Sequence, residues 1–399
     1  MNTQAWIKRG DNCIATTYGR FPIVASKGEG CWLWDVEGNK YLDFLAGVAV
    51  NNLGHCHPKV VAALQQQAQT LIHCSNYYHI PNQIELAEAL CRNSFGERVF
   101  FCNSGAEANE AAMKLVRKHS AEKNGSNRFT VITALASFHG RTIGTISATG
   151  QDAVRKGFTP VVPGFRYVPF GDIDAMRTAV TAEVCAVMLE PVQGEGGINV
   201  APPGYLKAVR ELCDQHNMLL IFDEVQVGYG RTGKLFAYQH DDVAPDIMTL
   251  AKAMAGGAPI GAMVATEKAA TAFTPGSHGS TFGGNPLVTA AALATLDVLE
   301  NDGVLDNCVE MGAHLHACLK QLSTKFSWCG EVRGRGLIQG LQLDIEGAPL
   351  VAAALKKGLL INCTAGKVLR FVPPLIVTKG EIDLAMEILQ QVFEEFSKG

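Results

Sequence analysis

Charge is sparse in this chain, and neither sign dominates. Of its 399 residues only 18% are Asp, Glu, Lys or Arg, and the net charge is -4. There is no dense Lys/Arg block, so no nucleic acid or other polyanion is an expected partner. Long apolar runs are also missing. No stretch is long enough to span a bilayer, so no membrane is expected. The opening MNTQAWIKRGDNC has no apolar core of a secretory signal. No CxxC pair occurs among the twelve scattered cysteines. They read as reduced, mostly buried thiols of a cytoplasmic protein rather than a disulfide framework. Internal repeats, low-complexity tracts and Pro/Ser-rich linkers are absent too.

What is present is a 47% apolar chain, too long for one ordinary core, so two or more subdomains are expected. CWLWD (31–35) and KYLDF (40–44) alternate like strands around the turn signal VEGN. Helical spacing follows at 58–69 and 81–90, each with Pro in its first turn. Strands and helices then alternate. Strands are expected at 98–105, 129–140, 185–197, 218–225 and 246–252, with helices at 106–123 and 204–217 among them. This pattern predicts an α/β fold around a mostly parallel sheet buried on both faces. After a helix over about 285–300 the pattern changes. A helix (306–325), a strand (332–343), a helix (349–358), strands (359–363 and 368–372) and a last helix (379–397) predict a smaller α+β domain.

Ligands of an open parallel sheet bind at the carboxyl ends of its strands. The segments expected there are NSGAEAN, SFHGRT, EPVQGEGG, DEVQVGYGRTG and AKAMAGG. Ser104, Gly105 and Ala106 open a helix and form an anion site, or simply an N-cap with Glu107 completing a capping box. Phe138 can stack on a planar ring and Arg141 can hold a carboxylate, although a core Phe and a surface Arg would look the same. Asp223 ends the apolar run MLLIF, where a carboxylate needs a cationic or donor partner. Its neighbour Glu224 needs no more than backbone hydrogen bonds. Lys252, between Ala251 and Ala253, is placed for a lowered pKa and Schiff-base chemistry, or for snorkelling at a strand end. A phosphate cradle, a stacking ring, a carboxylate for a ring nitrogen and an imine-forming lysine are together what pyridoxal phosphate requires. The His and Cys residues of GHCHP (54–58) and of His73–Cys74 fit no structural zinc spacing, so no metal is expected.

These motifs, with TYGRFPI (17–23), GSHGSTFGGNP (276–286), RGRGL (333–337) and LRFVPPL (369–375), resemble end to end the class III (subgroup II) aminotransferases of the fold-type-I pyridoxal-phosphate superfamily. The nearest pattern is that of the bacterial acetylornithine aminotransferases. The resemblance implies a large cofactor-binding domain (56–300) with a mostly parallel seven-stranded sheet. It also implies a small C-terminal domain (301–399), joined by an N-terminal segment (1–55). It implies pyridoxal 5′-phosphate bound covalently by Lys252, which then moves the substrate proton. Asp223 pairs with the ring nitrogen, Phe138 and Val225 cover the ring faces, and Gln226 reaches the 3′-oxygen. Ser104, Gly105 and Ala106 hold the phosphate, with Thr281 supplied across an obligate homodimer.

Tyr18, Arg141, Glu195, Arg370 and Ser280 are the implied substrate residues. Arg370 takes the α-carboxylate of 2-oxoglutarate and Glu195 masks Arg370 in the amine half-reaction, while Glu190 is a nearby structural carboxylate. Ornithine aminotransferases carry a Tyr for the free α-amine where this chain has Val48, which ranks N2-acetylornithine first as donor. Succinylornithine and N-succinyl-diaminopimelate come next, then ornithine and 4-aminobutyrate. Other pyridoxal chemistries on this fold and an inactive binding protein are the remaining alternatives.

Overall fold

A computed structural model describes residues 1–125 and 127–398. After an N-terminal helix, Thr3–Cys13, that the sequence pattern did not reveal, β1 (Ala25–Glu29), β2 (Trp32–Asp35) and β3 (Lys40–Asp43) form an antiparallel meander. The VEGN turn closes because Asp35 Oδ1 accepts the backbone N–H groups of Glu37 and Asn39, each at 2.9 Å. An Asp side chain that substitutes for a backbone acceptor is the usual reason a turn starts there.

The large sheet contains β4 (Arg98–Cys102), β5 (Thr130–Ala134), β6 (Phe165–Val168) and β7 (Val184–Leu189). A short ribbon follows, β8 (Val192–Gln193) with β9 (Asn199–Val200). The large sheet then resumes with β10 (Leu219–Asp223), β11 (Ile247–Leu250) and β12 (Gly261–Ala265). Its order is β4-β12-β11-β10-β7-β5-β6, and only β12 runs against the rest. The sheet is therefore seven-stranded and mostly parallel, on an α/β plan.

Every residue of β5, β7, β10, β11 and β12 is buried. That explains why these segments read as continuous apolar runs. Alternation survives in what each side touches. Leu219 and Ile221 pack with Ala111, Leu115 and Val116 of helix Gly105–Asn124. Leu220 and Phe222 join the opposite cluster, with Val209 of helix Tyr205–Gln215 and Leu296 of helix Pro286–Asn301. Each such side chain contributes about 1.5–3 kcal/mol of burial.

Two strands of the large sheet escaped the sequence reading, β6 and β12, as did β1 and β9 outside it. The expected strands are also shorter than read, each ending where its polar loop starts. The single strand expected at 332–343 is a hairpin, β13 (Cys329–Arg335) and β14 (Ile338–Leu343), paired antiparallel. Gly336, at φ +55°, makes the turn. A glycine adopts that conformation at little cost, so the chain reverses inside what looks like one run. The last strands are β15 (Leu359–Leu360), β16 (Asn362–Thr364) and β17 (Val368–Phe371). The small sheet runs β13-β14-β17-β16, and β15 instead pairs with β3, tying the start of the chain to its C-terminal part. No helix among the described residues is long and apolar enough to cross a membrane. All twelve cysteines are free, and only Cys13 and Cys56 are exposed.

Candidate active site

The carboxyl ends of β4, β5, β7, β10 and β11 converge on one cavity of about 300 Å³. Ser104, Gly105, Ala106, Phe138, Glu195, Asp223, Val225, Gln226 and Lys252 all line it. Each reaches the cavity because its strand stops there and the loop turns up over the sheet edge.

Ser104 is the N-cap of helix Gly105–Asn124, its hydroxyl accepting from Glu107 N. The expected capping box does not close. Glu107 Oε2 instead reaches one residue further back, accepting from Asn103 N and Asn103 Nδ2 at 2.6 and 2.9 Å. Among the described residues the N–H groups of Gly105 and Ala106 have no partner within the chain, so the positive helix end faces the cavity. A side chain at 105 would bring its Cβ to 2.6 Å from Val225 Cγ1, so the Val225 wall can close on the helix only over a glycine.

Asp223 sits at the cavity floor and is 4% exposed. Its Oδ2 accepts from Asn109 Nδ2 and from His139 Nδ1, both at 2.8 Å, and its Oδ1 accepts from Val225 N at 3.0 Å. Asn109 is itself fixed, donating to His139 O at 2.7 Å and accepting from Thr249 Oγ1 at 2.7 Å. A buried carboxylate held by several donors stays oriented, which suits it to face a cation inside the cavity. Glu224, next in the chain, points the other way and accepts from Ala237 N and Tyr238 N at 2.6 and 2.7 Å. Its role is the backbone one expected of it.

Lys252 begins a short 3-10 turn, Lys252–Ala255, at φ +45°. A side chain other than glycine's costs about 1–2 kcal/mol in that region, and such strain concentrates at working sites. Burial pushes the ammonium pKa below its ordinary value and Arg370 adds to this, while Glu195, Asp223 and Glu190 oppose it. A lysine held this way gives up its proton more readily than a free one, and the uncharged amine is the form that attacks a carbonyl. Glu190 is held well above the ordinary carboxylate range by burial and by Asp223, and it accepts from Phe138 N at 3.1 Å.

The cavity rim is polar. Arg370, on β17, is 1% exposed and meets Glu195 Oε1 at 2.5 Å. Gln226 Nε2 donates to the same oxygen at 3.2 Å, and Arg370 Nε donates to Asn362 Oδ1 at 3.1 Å. Burial raises the Glu195 pKa, but Arg370 outweighs it and holds the carboxyl below its usual range. Gly194 leaves room for Gln226, whose Oε1 would lie 1.6 Å from a Cβ there.

Five expected residues do not line this cavity; Arg370 reaches it only through Glu195 and Gln226, and the other four lie further off. Tyr18 is exposed on the N-terminal segment. Arg141 is exposed at the mouth, its guanidinium 5.3 Å from the centre of the Phe138 ring. Ser280 and Thr281 line an adjoining cavity of about 320 Å³ with Asn103 and Phe282, where Ser280 Oγ accepts from Asn103 Nδ2 at 3.2 Å. Val48 does not line the main cavity, but Val50 does. It lies in a left-handed turn, Ala46–Ala49, with φ between +48° and +64°. The unexpected floor residues are Asn109 and His139. A polar residue on the buried alanine face of helix Gly105–Asn124, and Thr249 inside the apolar β11, were the available signals. His55 commits its Nε2 to Asp43 Oδ2 at 2.8 Å.

A strained, buried lysine beside an oriented carboxylate and a free helix N-terminus makes this a lysine-centred site at the strand ends of an α/β sheet. The chain belongs to the aminotransferase class-III family, whose sequence pattern matches residues 13–393. It is 56% identical to the acetylornithine aminotransferase of Caldanaerobacter subterraneus subsp. tengcongensis, over 96% of this chain and 97% of that one. It is 51% identical to the acetylornithine aminotransferase of Methanocaldococcus jannaschii over the full length of both. Among solved structures it resembles the ornithine aminotransferase of Toxoplasma gondii, crystallised with partial occupancy of PLP at its active site. That likeness has a TM-score of 0.96 at 37% identity and covers 100% of this chain and 96% of the other. The protein is accordingly a transaminase acting on small molecules.

Proposed function

We propose that this chain moves the δ-amino group of N2-acetylornithine to 2-oxoglutarate by a ping-pong mechanism, with pyridoxal 5′-phosphate as cofactor. The observation that carries the reading is the convergence of Lys252, Asp223 and the N-terminus of helix Gly105–Asn124 on one cavity. The donor set fits the cofactor: free N–H groups for a phosphate, an oriented carboxylate for a protonated ring nitrogen, and an amine-bearing lysine. When bound, the cofactor supplies an electron sink for the substrate carbanion.

The protein groups do the rest. Asp223, fixed by Asn109 and His139, would pair with the ring nitrogen of the bound cofactor. Lys252 would hold the cofactor and serve as the base that moves the substrate proton. Phe138 and Val225 would cover the ring, with Gln226 near its 3′-oxygen. Glu195 neutralises Arg370 while the amine donor reacts. It releases Arg370 when 2-oxoglutarate arrives with an α-carboxylate, which makes a bidentate ion pair. In this reading Arg141 takes a substrate carboxylate, and Tyr18 and Ser280 are further substrate contacts. Val48 offers no partner for a free α-ammonium, which favours an acylated donor.

A second copy of the chain completes the site in this reading, through Thr281. Support comes from the exposed rings of Tyr77 (93% exposed), Tyr78 and Phe282 around that loop, an aromatic cluster of the kind that marks interaction surfaces. The three-part division at residues 55 and 300 is supported by the separate small sheet and by the β3–β15 pairing.

The test is the isolated half-reaction. Holoenzyme is mixed with N-acetylornithine, succinylornithine, ornithine and 4-aminobutyrate in turn, without keto acid, and loss of the bound-cofactor absorbance is timed against concentration. The largest second-order constant is expected for N-acetylornithine. A preference for ornithine or 4-aminobutyrate would keep the family and discard this donor.

A further inference from the structure

Helices Val304–Ser323 and Lys379–Phe396 pack side by side in the C-terminal part of the chain. His314 and Cys318, four residues apart, lie on one face of the first helix. Asp383 meets them from the second. All three ligand atoms lie within 4.8 Å of one another. His314 Nε2 is their common point, 2.6 Å from Asp383 Oδ1 and 3.7 Å from Cys318 Sγ. Among the described residues this is the one such group of His, Cys and carboxylate side chains. The cleft beside it, of about 190 Å³, is lined by Cys318, Asp383 and Glu387, one turn beyond Asp383.

We propose that His314, Cys318 and Asp383 bind a borderline-soft divalent cation, zinc foremost, with a water or Glu387 as fourth ligand. Tetrahedral zinc with its normal bond lengths places N and S ligands about 3.5 Å apart and N and O ligands about 3.3 Å apart. The nitrogen–sulfur separation is already there. The nitrogen–oxygen pair has to open by about 0.7 Å, as it would when a metal replaces the shared proton. The thiol proton of Cys318 goes to solvent and His314 keeps its ring proton on Nδ1. One sulfur, one nitrogen and one carboxylate are a poor set for magnesium or calcium, which want oxygen alone. Lys379 bears on Cys318 and opposes the cation, whereas Lys325 is held away by Gln390 Oε1 at 2.8 Å.

The probe is cobalt(II), titrated into chelator-treated holoenzyme and followed by the d–d bands of tetrahedral cobalt, away from cofactor absorbance. Zinc is then added to displace it. One equivalent per chain is expected, unaffected by excess magnesium. Cys318→Ser, nearly isosteric, is expected to weaken binding at least about tenfold and to change the band intensity. His314→Gln, which keeps a hydrogen-bonding side chain toward Asp383, is expected to do the same. Absence of a tetrahedral cobalt spectrum in the wild type overturns the proposal. So does a spectrum that survives both substitutions, since the metal would then sit on other cysteines.

Discussion

The floor and the rim of the cavity are held in opposite ways. At the floor, Asp223 is fixed by Asn109, His139 and Val225, all on the large sheet and the elements packed on it. None of those three contacts bridges the large and small sheets. At the rim, Glu195 from the loop after β7 faces Arg370 on β17 of the small sheet, and the two charges satisfy each other. The floor can therefore be rigid, while the rim contains a bond that one substrate must break. Preorganisation belongs where charge develops in the reaction, and exchangeable contacts belong where two substrates of different charge alternate.

The sharpest way to break the comparison is at the floor. Lys252→Ala is expected to lower turnover more than about 10⁴-fold, since both the covalent hold and the proton carrier are lost. Far-UV circular dichroism is expected to stay unchanged, because the substitution removes a strained side chain from a cavity wall. Turnover within tenfold of wild type would remove Lys252 from the mechanism. Asp223→Ala comes next, with an expected barrier increase of about 3–4 kcal/mol, or about 10²–10³-fold in kcat. If single-turnover rates with N-acetylornithine hardly change, the ring nitrogen is not managed from this side chain.

The rim responds in the other direction. Glu195→Ala frees Arg370 for any substrate with a carboxylate beside the reacting amine. A charge-assisted bond worth about 1.5–3 kcal/mol no longer has to be displaced, so kcat/KM for glutamate is expected to rise about tenfold or more. The N-acetylornithine half-reaction is expected to fall modestly, as an unmasked Arg370 enters the donor pocket. Steady-state comparison of both donors decides it, and no gain with glutamate means that Glu195 is structural.

The same contrast governs what the sequence revealed. The floor was readable because each of its parts follows an apolar strand, so the position of a polar residue after the run already implied the sheet edge. Asn109 was missed although it is a polar residue on an alanine face, because its partners Asp223 and Thr249 lie more than a hundred residues away in the sequence. Arg370 has no local signal at all, since its meaning depends on β17 being brought against the loop after β7, and only family resemblance pointed to it. β12 was missed because GAMVA is short and carries one β-branched residue, too little to separate a buried strand from loop. The hairpin at 329–343 was read as one strand, although its turn residue, Gly336, lies in the glycine-rich RGRGL.

A last effect separates the acids by pH. Glu224, beneath the floor, has a pKa pushed up to about 7 by burial, which outweighs the two backbone donors that favour its charged form. Between its ordinary value of 4.5 and about 7 the folded chain then binds more protons here than the unfolded one. Its contribution to stability therefore falls as pH rises through that window, by about 3 kcal/mol in all. Glu195 has the opposite sign. Its pKa lies below the usual range, so the stability of its pair with Arg370 is present at neutral pH and is lost as pH falls below the ordinary carboxylate value. Urea unfolding of the wild type and of Glu224→Gln, from about pH 5 to about pH 7.5, checks the first term. The wild type is expected to lose more stability than the variant, because glutamine cannot take up the charge that burial penalises. Parallel curves would mean that the Ala237 and Tyr238 donors keep Glu224 ionised throughout, making it a second oriented carboxylate like Asp223.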